Sequence, residues 1–155
     1  MQYLFRLKFN LHILQGRIMN INNMQNVFSL VGRLMIAYLF IPAGISKITG
    51  FSGSVGYANA MGMPMPELGV GIGALIEILG GVAVLLGLKA RWGALALAFF
   101  TLVASFVFHA YWNLPADQAM MQQLMFNKNI AIVGGLLVLA AFGAGRFSLD
   151  ARTSN

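Results

Sequence analysis

Apolar residues gather into four long runs along this chain, at roughly 27–48, 67–88, 92–112 and 129–147. Crossing a hydrocarbon core takes about 20 helical residues, and each run is of that order. A soluble surface helix shows a polar face. These runs are apolar nearly all round, broken at Arg33, Glu77 and His109. The pattern predicts an all-α fold, a membrane-embedded four-helix bundle. Ionisable residues inside such spans are the first place to look for function.

Helical spacing sorts the exceptions into stripes. In the first run Arg33, Ala37, Phe40, Gly44 and Lys47 share a face. In the second, Gly69, Gly73, Glu77, Gly80 and Val84 do so, and in the third Ala94, Ala98, Thr101, Ser105 and His109. The fourth run offers Ala131, Gly134, Val138, Ala141 and Gly145, small residues without charge. Small residues mark close helix–helix contact in lipid, so Glu77 and His109 are expected to point into the bundle, and the uncharged stripe of the fourth helix offers a face for helix contact. Pro42 is expected to kink the first helix.

The connections are less regular. A glycine- and proline-rich stretch at 49–66 is expected to hold a short helix at about 54–61, capped by Ser52 or Ser54. Residues 87–91 read as a tight turn, which makes the second and third helices antiparallel neighbours. Residues 113–127 read as a loop carrying Met120, Met121 and Met125. Residues 1–26 alternate apolar and polar positions with no partner strand, and they lack the run and cleavage site of a signal peptide. They read as a cytoplasmic or interfacial tail, with Met19 and Met24 as alternative starts. The expected division is tail 1–26, membrane domain 27–150 and cytoplasmic tail 151–155.

Composition agrees. Of 155 residues, 59% are hydrophobic and 9% charged, with a mean hydropathy of +0.77, against about 25% charged in soluble domains. The net charge of +6 does not indicate nucleic acid, because the basic residues sort by membrane side instead of clustering on one element. Arg6, Lys8, Arg17, Lys89, Arg91, Arg146 and Arg152 fall on one side, and Lys47 and Lys128 on the other. The positive-inside rule then puts both termini in the cytoplasm. There is no cysteine, hence no disulfide and no thiolate metal site. Two histidines make a haem or zinc centre improbable, and no metal is expected.

Depth suggests partners. At 1.5 Å per residue, Arg33 lies roughly 9 Å from the inner end and Glu77 roughly 16 Å. An Arg33–Glu77 ion pair is therefore expected, since an unpaired charge near mid-bilayer costs about 2.5–3.5 kcal/mol or more. His109, Lys47, Lys128 and Asn129 fall near the outer ends and are expected to form a second polar cluster, joined by Tyr57. Structural roles stay open for each. The ion pair can fix helix register, the lysines can snorkel, and His109 can belong to an interfacial aromatic belt with Tyr111 and Trp112. The methionines read as apolar packing, not a copper site.

These residues together resemble a known family. Residues 33–40 followed by Ala43-Gly44-Ile45-Ser46-Lys47 are similar to the first-helix signature of the DoxX family. Glu77-Ile78-Leu79-Gly80-Gly81 is similar to its second-helix motif. Arg91, Phe108-His109, Lys128-Asn129, Gly134-Gly135 and the ending at 143–150 match later positions. The resemblance covers about residues 27–150 and is strongest to the YqjF-type inner-membrane members. It implies a four-helix bundle in the bacterial inner membrane, tied to respiratory or redox complexes. The sequence carries no flavin motif, haem pair or thiol, so any electron carrier must be diffusible or held by a partner protein.

Three functions follow as expectations. The first is a quinone- or quinol-interacting membrane subunit of an oxidoreductase, with Glu77, His109, Arg33, Lys47, Lys128, Asn129 and Tyr57 as candidate binding residues and Glu77 as the group exchanging protons. The second is a non-catalytic scaffold or assembly factor, docking partner helices or further copies of itself on small-residue faces. The third, a small transporter, ranks last, because no pair of broken helices is visible.

Overall fold

The apolar runs become helices, and the boundaries shift where capping chemistry overrules hydropathy. A computed structural model describes the backbone of residues 2–153 and the side chains of 21–112 and 114–153. The elements are α1 (Gln2–Thr49), α2 (Phe51–Ala60), α3 (Pro66–Leu86), α4 (Ala90–Phe108), a 3₁₀ turn at Tyr111–Asn113, α5 (Ala116–Phe142) and α6 (Leu149–Thr153). No strand occurs among the described residues. Four segments are long and apolar enough to cross a membrane: Ile21–Thr49, Pro66–Leu86, Ala90–Phe108 and Ala116–Phe142. Their outward faces are bare apolar surface, with Tyr38, Phe99 and Phe142 among the most exposed side chains. That surface suits acyl chains and not water.

Several expectations need correction. The backbone of residues 2–26 continues α1; the headgroup contacts expected of Arg6, Lys8 and Arg17 lie outside the described side chains. Pro42, where a kink is expected, sits within α1. The short helix α2 starts at a Gly50 N-cap, and neither Ser52 nor Ser54 caps it. The expected loop at 113–127 is mostly helix, because α5 starts at Ala116 behind Pro115. Ala, Gln, Met and Leu dominate that stretch, and all are strong helix formers. The same helix stops at Phe142, where Gly143 takes a φ of 82°.

Packing runs α1 on α3, α3 on α4 and α4 on α5; α5 makes no comparable packing on α1. Glycine sets two of these approaches. A Cβ at Gly44 would lie 2.7 Å from Ile78 Cγ1 and 2.9 Å from the Ala74 carbonyl, so α1 lies directly on the α3 backbone. One at Gly80 would meet Leu97 at 2.8 Å. The expected stripes on α1, α3 and α4 are the buried ones, from Arg33 to Gly44, Gly73 to Val84 and Ala94 to Ser105. The stripe on α5 is not. Ala131, Gly134, Val138 and Ala141 face outward, and Val133, Leu136 and Leu139 point in. These bulky residues join Phe40, Val84, Ala94, Leu97 and Ala98 in one apolar core.

The end of the bundle carrying Arg33 is stitched by polar contacts. Asp150 accepts from the Lys89 and Ala90 amides at 2.7 and 3.1 Å, capping α4. Ser29 donates to the Ala144 carbonyl at 2.9 Å, and the Arg146 amide donates to Asn26 Oδ1 at 2.9 Å. These bonds tie the chain after α5 back to α1.

Candidate functional site

Gly44 determines the centre of the site. It holds α1 against α3 at the level of Glu77, and Lys47 follows one turn later. Glu77 leans toward the α3 N-terminus, as helical side chains do. Lys47 Nζ donates to both carboxylate oxygens, at 2.9 and 2.8 Å. Glu77 is nearly buried, with 6% of its side chain exposed against 32% for Lys47. A carboxylate at this depth needs a cation, and only a long flexible stem one turn above reaches it. Lysine has three donors, and the pair uses two of them.

The expected Arg33–Glu77 pair does not form. Arg33 is 1% exposed and donates to the Val84 and Leu85 carbonyls at 3.3 and 3.1 Å, and to the Phe147 carbonyl. Two of these are carbonyls of the last turn of α3, where amide partners run out; the Val84 carbonyl also accepts from the Gly87 amide at 3.2 Å. The planar guanidinium fork matches them, while Glu77 lies two turns away. Arg33 therefore stands apart from the other candidates, as a clamp on the α3 C-terminus.

The remaining candidates come together. A cavity of about 720 Å³ is lined by Lys47, Tyr57, Glu77, His109, Lys128 and Asn129, with contributions from α1, α2, α3, α4 and α5. Its apolar walls include Phe40, Phe100 and Ile132. At its rim Tyr57, brought by α2, stacks on Phe108 with ring centres 5.7 Å apart and planes at 16°. His109 ends α4, and its Nδ1 lies 2.7 Å from Gln122 Oε1. That oxygen accepts, so the contact places the ring proton on Nδ1 and leaves Nε2 for another partner. Lys128 Nζ donates to Met125 Sδ at 3.3 Å, which gives one methionine of the 113–127 stretch a polar contact.

Sequence reasoning missed two contributors. Gln122 lay in the supposed loop, so its place one helical face from His109 was invisible. Thr101 was placed on the right stripe but read as packing. It lines the cavity, is 5% exposed, and its Oγ1 has no hydrogen-bond partner among the described residues. Among those residues no cluster of three or more His, Asp or Glu side chains could hold a metal.

The cavity thus combines apolar walls, the Lys47–Glu77 pair with its buried carboxylate, the Thr101 hydroxyl, and a polar, aromatic rim. Its fifth wall, between α1 and α5, lacks the close packing found elsewhere. The model of the DoxX family matches residues 28–110. The chain belongs to the DoxX family. Two relatives from Escherichia coli strain K12 support this. Inner membrane protein YqjF is 42% identical over 127 residues, covering 82% of this chain and 92% of its own length. Inner membrane protein YphA is 35% identical over 126 residues, covering 81% and 90%. A Surfeit locus protein 4 homolog of Schizosaccharomyces pombe is 27% identical over 134 residues, covering 83% of this chain and 38% of that protein. No solved structure matches. This DoxX-family chain is a multi-pass inner-membrane protein. The family match ends near His109, so Gln122, Lys128 and Asn129 lie beyond it.

Proposed function

We propose that this DoxX-family protein is a quinone- or quinol-binding membrane subunit, or anchor, of a redox complex, with both termini in the cytoplasm. The cavity carries the reading. Its volume falls in the range of about 300–1,000 Å³ typical of small-molecule sites. A quinone head needs apolar walls and a few convergent donors. Phe40, Phe100 and Ile132 supply the first, and Lys47, His109 and Asn129 the second. The quinone itself supplies the electron chemistry. The chain supplies an apolar slot, orientation, and in Glu77 a carboxylate, held by two hydrogen bonds from Lys47, as the group that takes up and releases the ligand's protons.

The weakly packed α1–α5 wall supports entry from the bilayer, where such a ligand is dissolved. Titrating the full chain in nanodiscs with decylubiquinone tests the reading by intrinsic tryptophan fluorescence. Saturable quenching that Glu77→Gln weakens supports it. A flat titration, with no quinone co-purifying from native membranes, refutes it.

One observation favours the second reading, a scaffold. The small-residue face of α5 points outward, and a Cβ added at Gly134 or Gly135 would meet nothing within 4 Å. A partner helix could lie closely there. Cross-linking in native membranes from that face checks it: a stoichiometric partner is the expected product, and a chain recovered only alone counts against it.

A further inference from the structure

Serine and threonine inside membrane helices normally return their hydroxyl to the carbonyl one turn back. Ser105 does this, donating to the Thr101 carbonyl at 2.6 Å. Thr101, one turn earlier on the same face, does not. Its Oγ1 is shielded and unpartnered among the described residues, and the residue lines the cavity. Helix register shows what stands near it. Gly73 faces Phe100 and Gly80 faces Leu97, so Thr101 lies near the level of Gly73, about one turn of α3 from Glu77. Gly44 faces Ala74 and Glu77, so Lys47 reaches a similar level from α1. The floor of the cavity therefore gathers a hydroxyl with its bonding capacity unspent, the remaining proton of Lys47 and the free lone pairs of Glu77. The rim at His109 lies eight residues further along α4, about 12 Å away along the axis.

We infer that Thr101 is the deep anchor of the ligand: its hydroxyl bonds a carbonyl or hydroxyl oxygen that reaches the floor beside the Lys47–Glu77 pair. This rests on the quinone-binding reading and extends it. The oxygen-bearing ring goes inward first, between Phe100 and Phe40. Its apolar tail leaves through the weakly packed α1–α5 wall, and the His109 rim serves the ring's mouth-side substituents. A hydroxyl both donates and accepts, so Thr101 serves the oxidised and reduced forms of such a head equally. Ligands without an oxygen on the ring, such as a plain alkylbenzene, lose this selection.

Thr101→Val replaces the hydroxyl with a methyl group of the same shape, and Thr101→Ser keeps the hydroxyl. In nanodiscs the empty valine variant should melt at or above the wild-type temperature, since a shielded unpartnered hydroxyl has been removed. Its Kd for decylubiquinone should rise about five- to tenfold, the size of one hydrogen bond, and the serine variant should stay near wild type. Equal binding by wild type and Thr101→Val overturns the anchor and leaves the quinone reading intact. No binding by wild type overturns both. A valine variant whose empty form melts well below wild type assigns Thr101 to packing and also overturns the anchor.

Discussion

At the scale of single residues, the Lys47–Glu77 pair and Arg33 divide the buried charge between two ends of the bundle. Removing either member of the pair leaves the other exposed to a different fate. Lys47 has a third of its side chain exposed and can swing to the rim when Glu77 is gone. Glu77 cannot leave. Lys47→Met should therefore destabilise more than Glu77→Gln, by about 1–3 kcal/mol in denaturant unfolding in micelles. Equal losses would show that the carboxylate finds another partner. Arg33→Lys should also be damaging despite keeping the charge, because an ammonium cannot match carbonyls on both α3 and the chain after α5. Faster backbone amide exchange at 143–150 is the expected sign, and unchanged exchange would contradict the clamp. The sequence placed Arg33, Lys47 and Glu77 on inward faces correctly. It mismatched them because spacing along a helix gives direction and approximate depth, while partner choice depends on which helix end presents unsatisfied carbonyls.

At the scale of elements, small residues mean different things on different helices. Gly44 is a close approach: Gly44→Ala must displace backbone or Ile78, at a cost of about 1–3 kcal/mol. Gly134→Ala meets open space and should be neutral or slightly stabilising by the helix-propensity gain. Melting temperatures of the two variants check the contrast, and a reversed order would mean that α5 packs through its glycine face. Spacing alone does not say which way the α5 stripe faces. On α1, α3 and α4 the inward face is small because each touches a neighbouring backbone. The helix α5 instead fills a wider groove beside Leu97 and Phe40, which needs Val133, Leu136 and Leu139. Nothing in the spacing of Ala131, Gly134 and Val138 distinguishes a tight interior contact from a bare outer face. The early start of α5 escaped notice for a related reason. Its first turns are polar and lie outside any apolar run, so only their helix propensity announces them.

At the scale of the whole molecule, the core and the cavity share one bundle. Bulky apolar residues close the Arg33 side of the interior, and polar ties from α1 to the chain after α5 hold that end shut. On the Lys47 side the described contacts run from Lys47 to Glu77 and from His109 to Gln122 instead, and there the cavity opens among five helices. The four spans and the grouping of His109, Lys47, Lys128, Asn129 and Tyr57 followed from apolar pattern and depth, while depth set Glu77 apart with Arg33 and the structure brings it into the same cavity. The Thr101 floor did not, because an unspent hydroxyl is a property of three-dimensional surroundings and not of spacing. The most direct test is a density map of the full chain in native-lipid nanodiscs loaded with decylubiquinone. The account predicts a flat ring between Phe100 and Phe40, one oxygen at hydrogen-bond distance from Thr101 Oγ1, and the tail leaving between α1 and α5. A cavity closed by side chains, or a quinone resting only on the outer face of α5, would contradict it.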